Sequence, residues 1–325
     1  MRQLNVLFVP HPVQEIMKPW GNDTLKAIDD HHQLSVFDPA QEAAPQFEGV
    51  EVVVDLGGNM SADLIQIAAA AGVKFVQAQT NGLDHVEVEK IGDAGMLLAH
   101  CPGELSSVAL AESAMMFILM LANQYGTGRQ NFAAGKFFFP TGMELIGRSL
   151  GIVGFGHSGQ ELARRAKAFG MKILAIDIRP IEQEILDEIQ PDFLGGSDDL
   201  DRVTAESDFL SVHLHLTSET HHIIDERRIG LMKSTAYLVN VARGGLVDEE
   251  ALYQALLEER IGGAGLDAFA EEPPDVSRPV YQLPTVCLSP HTGGSTDGTS
   301  RKRAAFAAEN VNRYARGEEI LARVK

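Results

Sequence analysis

Three elements late in the chain carry residue types that hold an acid and move a proton. Arg243 stands in "LVNVARGGLVDEEAL", past an apolar run and before two glycines. Glu271 and Glu272 stand in "GLDAFAEEPPDV", with two prolines directly after them. His291 stands in "LSPHTGGST", again past an apolar run and before two glycines. Arginine holds a carboxylate through two parallel hydrogen bonds. Histidine is the usual proton donor near neutral pH, and a carboxylate behind it orients the ring and raises its pKa. Such a set suits reduction of a 2-keto acid: a cation for the carboxylate, a proton for the developing alkoxide, and a partner that keeps the donor charged. Each element alone has a plainer reading, as a surface ion pair, a solvated turn stiffened by prolines, or a hydrogen-bonded loop histidine.

A glycine loop raises the value of the set. "SLGIVGFGHSGQELARRAKAFGMKILAIDIR", Ser149 to Arg179, holds Gly154, Gly156 and Gly159 in G-x-G-x-x-G spacing. The loop follows a strand pattern, opens a helix pattern, and is followed by a second strand ending at Asp177. In that context Gly154 permits the tight turn, Gly156 lets backbone approach a pyrophosphate, and Gly159 lets helix and strand pack closely. The helix N-terminus adds backbone donors and partial positive charge. Asp177 lies 18 positions after Gly159. A carboxylate there accepts ribose hydroxyls and repels a 2′-phosphate, which favours NAD over NADP. Arg179 close by softens that preference.

The elements that must position these residues follow an α/β pattern. "NVLFVP", "EVVVDLGG", "KFVQAQT" and "MLLAH" read as strands of a first unit, with "SADLIQIAAAAG" as a helix between strands. "SLGIVGFG", "KILAIDIR", "FLSVHLHL", "AYLVNVA", "GGAGLDAF" and "TVCLSPH" read as strands of a second, more regular unit, with helices at "SGQELARRAKAFG" and "DEEALYQALLEER". The runs are continuously apolar, as suits parallel strands covered on both faces. In such sheets ligands bind beyond the carboxyl ends of the strands. Arg243, the acidic loop and His291 each follow a different strand, so they can converge there. Glu104 to Gln124 reads as a helix apolar nearly all round in its second half, for a domain core or a subunit interface. A helix from roughly Thr296 to Arg316 follows the last strand and can fold back on the first unit, which would make that unit discontinuous.

The totals agree with an enzyme. The chain has 325 residues and a formal net charge of -18, with 45% hydrophobic and 22% charged residues. The acidic balance argues against nucleic acid or an anionic membrane surface as partner. Two cysteines, Cys101 and Cys287, without metal-ligand spacing read as small buried residues in a reducing, cytoplasmic setting. The longest apolar run, Ala114 to Ala122, falls short of the ~20 residues of a membrane span. The N-terminal "MRQLNVLFVPHP" reads as a strand broken by prolines, not as a signal peptide.

With these blocks in view, the sequence resembles the D-isomer-specific 2-hydroxyacid dehydrogenases, the family of D-3-phosphoglycerate dehydrogenase, hydroxypyruvate and glyoxylate reductases and D-lactate dehydrogenase. The likeness runs from "VKFVQAQTNGLDHVEVE" to "SPHTGGSTDGT" and is strongest in "GRSLGIVGFGHSGQELARRAKAFGMKILAID", "VNVARGGLVDEEAL", "GLDAFAEEPP" and "SPHTGGST". The resemblance implies two Rossmann-like domains, one flavodoxin-like and one dinucleotide-binding, with the site in the cleft. The expected division is 1–103 plus 291–325 for the substrate domain and 104–290 for the NAD domain. It also implies a small 2-keto or 2-hydroxy acid substrate and a homodimer built on the Glu104 to Gln124 helix. By the same resemblance Arg243 binds the substrate carboxylate and keto oxygen, His291 is the acid/base and Glu272 its partner, while Glu271 has no assigned role. NAD would be met by Gly154, Gly156, His157, Ser158, Gly159 and Asp177. Leu214, Val241, Ala242 and Arg243 would approach it through backbone, and Asp267, His291, Gly293 and Gly294 would lie near its carboxamide. Asn81 and Gly82 in "TNGLD" would offer donors to the substrate.

The chain also departs from the family's patterns. "DLGGNMSAD" and "VQAQTNGLD" hold no arginine or lysine where the phosphoglycerate enzymes place arginines. A phosphorylated substrate needs such cations, so a non-phosphorylated acid is expected. No regulatory domain is expected after Lys325. Phe137 to Phe139 line the pocket for a less polar acid or serve packing. His215 stands where many members have proline. Glu272 speaks against a formate dehydrogenase, where glutamine is expected. Two other readings share the fold: an NAD-sensing corepressor whose work is protein recognition, and a phosphoglycerate dehydrogenase.

Overall fold

The computed structural model describes residues 1–29 and 31–324. It divides into two compact units, Met1–Leu105 with Ser295–Lys325, and Ser106–Gly294. Each is an α/β unit around a parallel sheet.

In the first unit the strands are β1 (Asn5–Val9), β2 (Gln33–Val36), β3 (Val52–Asp55), β4 (Phe75–Ala78) and β5 (Leu97–Ala99), in the order β2-β1-β3-β4-β5 and all parallel. Strand side chains alternate between faces. Leu7 and Val9 therefore join one core layer, while Val6 and Phe8 join the other. Both faces are covered, which is why β1 reads as an unbroken apolar run. One cover is the C-terminal helix Asp297–Arg316, which returns from the far end of the chain to pack on the Trp20–Asp29 helix. Thr296 caps its first turn, and Gly317, with φ +70°, closes it in the left-handed region that favours glycine.

In the second unit β6 (Ser149–Val153), β7 (Lys172–Ile176), β8 (Phe193–Gly195), β9 (Phe209–Val212), β10 (Tyr237–Asn240), β11 (Gly263–Leu266) and β12 (Val286–Leu288) pair in parallel in the order β12-β11-β10-β9-β6-β7-β8. The strand order reverses direction at β6, the place where open α/β sheets bind ligands. The helix Ser107–Ala122 buries Ala114, Phe117, Ile118 and Leu121 against this sheet. Gly265 on β11 makes room, since a Cβ there would stand 2.6 Å from that of Phe117. The helical stretch Gly103–Ala122 passes for a membrane span by length and composition, but more than half of it is buried in the protein. That helix is longer than the apolar run from which the sequence argues.

Two strands, β2 and β8, leave no apolar run in the sequence. Both are sheet edges of three or four residues with exposed or half-buried side chains. Both cysteines are buried free thiols, with burial pushing Cys101 up to about 12 and Cys287 up to about 11.

Candidate functional site

The carboxyl edge of the second sheet is built by loops that lean on one another. Asn240, 1% exposed at the end of β10, folds the chain after the strand. Its side-chain Oδ1 accepts from the Ala242 N–H at 3.1 Å and its Nδ2 donates to the Arg243 carbonyl at 2.8 Å. Gly244 then lies directly on the next loop. A Cβ on Gly244 would stand 1.8 Å from the Phe269 carbonyl carbon, so only glycine lets these loops meet.

The acidic loop turns back to close the other side. The Phe269 N–H donates to Glu272 Oε1 at 3.0 Å, and His291 Nδ1 bonds Glu272 Oε2 at 2.6 Å. The His291 and Glu272 side chains are 42% and 37% exposed, so the pair is partly open to solvent. The Glu272 hydrogen bond, against burial and the Arg243 charge, holds the His291 pKa above its ordinary value. Burial pushes the Glu272 carboxyl up, but its bonds to His291 and the Phe269 N–H, with the Arg243 charge, bring it below the usual range. Arg243, Glu272 and His291 are thus within electrostatic reach of one another. Glu271 beside them is exposed.

Asp267, which the resemblance places near the carboxamide, also has a task that the sequence hides. It is 1% exposed. Its Oδ1 accepts from the Ser289 hydroxyl at 2.6 Å and the Thr292 N–H at 2.8 Å, and its Oδ2 accepts from the Gly293 N–H at 2.8 Å. One carboxylate therefore ties the chain on both sides of His291, through a side-chain hydroxyl before it and two backbone N–H groups after it, and the His291 φ of 54° lies in the left-handed region. Gly293 has no room for a side chain, since its Cβ would stand 2.5 Å from Asp267 Oδ2, while Gly294 is half-buried beside it. A loop held on both sides tolerates a strained φ.

The glycine loop fits a dinucleotide. Gly154 has φ +97°, and a Cβ there would lie 2.6 Å from the His213 carbonyl oxygen and 2.8 Å from Leu214. A Gly159 Cβ would lie 2.3 Å from the Gly154 carbonyl oxygen, so the helix His157–Ala168 could not sit so close to the turn. Gly156 caps that helix, with His157 and Ser158 in its first turn, where backbone N–H groups lack helical partners. Asp177, at the end of β7, accepts the Phe155 N–H at 2.9 Å and the Arg179 N–H at 2.9 Å, and also pairs with the Arg179 guanidinium. Val241 is buried and Ala242 half-buried after β10. His215 is exposed, and its carbonyl accepts from the Thr220 hydroxyl at 2.7 Å.

Asn81 and Gly82 belong to the first unit, at the carboxyl end of β4. Gly82 is buried, its carbonyl accepting from the Thr80 hydroxyl at 3.0 Å. The structure also brings there a cation that the loop sequences lack. Arg303, on the C-terminal helix, reaches the Gln79 carbonyl at 3.3 Å and lies over the Trp20 ring at 5.4 Å. Counting charges in the loops misses it because it lies more than two hundred residues further along the chain. Phe137, Phe138 and Phe139 are exposed beside Phe132.

Residues 115–293, more than half of the chain, match the family model described as "D-isomer specific 2-hydroxyacid dehydrogenase, NAD binding domain". A D-3-phosphoglycerate dehydrogenase of Methanocaldococcus jannaschii is 33% identical over 93% of this chain, which spans 57% of that protein's length. A hydroxypyruvate reductase of Thermotoga maritima is 38% identical over 80% of this chain and 83% of its own. The crystal structure of a D-lactate dehydrogenase from Aquifex aeolicus with NAD and lactic acid superposes with a TM-score of 0.78 at 26% identity, covering 97% of this chain and 96% of that one. Matched in family model, in relatives and in fold, the chain belongs to the D-isomer specific 2-hydroxyacid dehydrogenases and carries their NAD-binding domain.

Proposed function

We propose that the protein interconverts a 2-keto acid and a D-2-hydroxy acid, with His291 as acid/base, Glu272 as its partner and Arg243 as the carboxylate anchor. The observation that carries this reading is the 2.6 Å bond between His291 Nδ1 and Glu272 Oε2. It commits Nδ1–H to the carboxylate and leaves Nε2 to the substrate oxygen. Arg243 grips the substrate carboxylate and polarises the keto oxygen. NADH, held by the glycine loop, would supply a hydride to the keto carbon, and the carbonyl π pair would then pass to oxygen. His291 Nε2 gives its proton to the developing alkoxide. In the oxidative direction the neutral imidazole takes the hydroxyl proton back. Glu272 keeps the ring oriented and its cationic form available. Asp267 holds the His291 loop in place, and Ser158 offers its hydroxyl to the pyrophosphate.

A non-phosphorylated acid is the first expectation, because the loops after β3 and β4 carry no cation. A substrate with a second negative group, as in a phosphoglycerate dehydrogenase, is the second reading. Arg303 beside Gln79, next to the candidate substrate residues Asn81 and Gly82, favours it. The test is NADH consumption across a panel from glyoxylate, hydroxypyruvate and pyruvate to bulkier acids and 3-phosphohydroxypyruvate, for the wild type and His291→Ala. General acid–base groups contribute about 10²- to 10⁴-fold, so His291→Ala should lose that factor while still binding NADH. Wild-type turnover in His291→Ala would sink the assignment. NADH binding without turnover on the whole panel would move the weight to the sensor reading.

A further inference from the structure

Behind the glycine loop lies a hydrogen-bonded line that the proposed chemistry does not use. Ser211, fully buried on β9, bonds His213 Nε2 at 2.9 Å, and His213 Nδ1 bonds the Ser158 hydroxyl at 3.0 Å. The ring is fixed from its backbone too, since the His213 N–H donates to the Val153 carbonyl at 2.8 Å and the His213 carbonyl abuts Gly154. Burial pushes the His213 pKa down to about 4, so the imidazole is neutral at ordinary pH. A neutral imidazole has one donor and one acceptor nitrogen. The line can therefore run in only two directions.

In one direction Ser211 donates to Nε2, Nδ1–H donates to Ser158, and the Ser158 hydroxyl proton is left for a ligand. In the other, Ser158 donates to Nδ1, Nε2–H donates to Ser211, and Ser158 presents only lone pairs outward. The second direction also leaves the buried Ser211 proton in need of another acceptor inside the sheet, a costly place for an unmade bond. An anionic pyrophosphate oxygen needs a donor, which only the first direction supplies.

We propose that His213 is a positioning residue for the cofactor: locked by Ser211 in the Nδ1–H form, it turns the Ser158 hydroxyl proton toward the pyrophosphate of NAD. The inference rests on the reading of Ser158 as a pyrophosphate contact. It extends the anion site of the helix N-terminus from backbone donors to a side-chain donor whose direction is set two residues into the sheet.

The first measurement is the tautomer. With 15N-labelled histidine, the His213 ring signals are assigned by their loss in His213→Asn and read in the full-length protein with and without NADH. The Nδ1–H tautomer is expected in both, and an Nε2–H ring would overturn the proposal. The second measurement is NADH affinity in Ser211→Ala, Ser158→Ala and the double variant. Ser211 is fully buried in β9 and bonds the His213 ring, so its loss is expected to act through His213. One neutral hydrogen bond corresponds to about three- to tenfold in binding. Ser211→Ala should weaken NADH by that factor in the wild-type background and by nothing further once Ser158 is alanine. An equal effect in both backgrounds would overturn the line of action. Unchanged NADH affinity in Ser158→Ala, with the Nδ1–H tautomer present, would instead remove the pyrophosphate role of Ser158.

Discussion

Asp55 and Asp267 stand at the same place in two sheets of the same design, and they do different work. Each is nearly buried, at 2% and 1% exposure, at the carboxyl end of a parallel strand, and each accepts backbone N–H groups. Asp55 closes its own turn, taking the N–H groups of Asn59 and Met60, four and five residues on. Asp267 reaches Ser289, Thr292 and Gly293, 22 to 26 residues on, across from β11 to the loop after β12. A carboxylate that caps its own loop stabilises that loop. One that ties two loops together sets the position of whatever the second carries, here His291.

The sharpest way to break this comparison is to remove each carboxylate. Asp267→Ala leaves three donors without their acceptor, of which the Gly293 N–H is buried and costs about 1–3 kcal/mol, and frees the His291 loop. Turnover is expected to fall roughly a hundredfold, in line with the contribution of the acid–base group itself, while NADH binding measured by fluorescence persists. Retained turnover would mean that Asp267 holds nothing the reaction needs.

The next effect is on pH. His291 is held protonated above its ordinary range chiefly by Glu272. Keto acid reduction, which needs the protonated ring, should therefore hold through neutral pH and fall as pH rises through the elevated value. In Glu272→Gln the largest raising influence is gone and burial lowers the pKa, so the fall should move to lower pH. A pH–rate profile of kcat/KM that does not move would detach Glu272 from the proton transfer.

Asp55→Asn should act on stability alone. An amide cannot accept on both sides, so one N–H loses its partner, at about 1–3 kcal/mol. Burial raises the Asp55 pKa, so the folded unit holds this proton more tightly than the unfolded chain does. Its stabilising contribution is full below the ordinary carboxyl range and lost as pH rises through the folded value. Melting curves against pH should show that loss in the wild type and not in Asp55→Asn, with kcat unchanged. A large drop in kcat would erase the distinction between the two aspartates.

The smallest effect sharpens the comparison with a carboxylate of mixed kind. Asp177 takes the Arg179 N–H two residues on and the Phe155 N–H 22 residues back, and its side chain also pairs with the Arg179 guanidinium. That guanidinium is 66% exposed, so the pair is weak. Arg179→Ala should strengthen the preference for NADH over NADPH only a few-fold, by removing the cation that tolerates a 2′-phosphate. A preference that moved the other way would show Arg179 competing with the ribose for Asp177.

How far the sequence could be read depended on the range of each interaction. The glycine loop was legible because its constraints are local: a turn, a helix start and a strand end within thirty residues. The paired carboxylate and histidine were legible as residue types after apolar runs. The edges β2 and β8 were not, because a short strand exposed on one side leaves neither an apolar run nor clean alternation. Gly244 looked like any turn glycine until Phe269 was placed against it. Arg303 was invisible among helix charges until the C-terminal helix was laid beside β4.

By itself, then, the sequence determined the parallel α/β architecture, the dinucleotide loop and the chemical types at three strand ends, because these follow from periodicity and from residues near each other in the chain. Tertiary structure alone decided that one buried aspartate anchors the His291 loop and that His213 lies between Ser211 and Ser158. Those pairings depend on which strands are neighbours in the sheet, and strand order is set by how the whole core packs rather than by any stretch of chain.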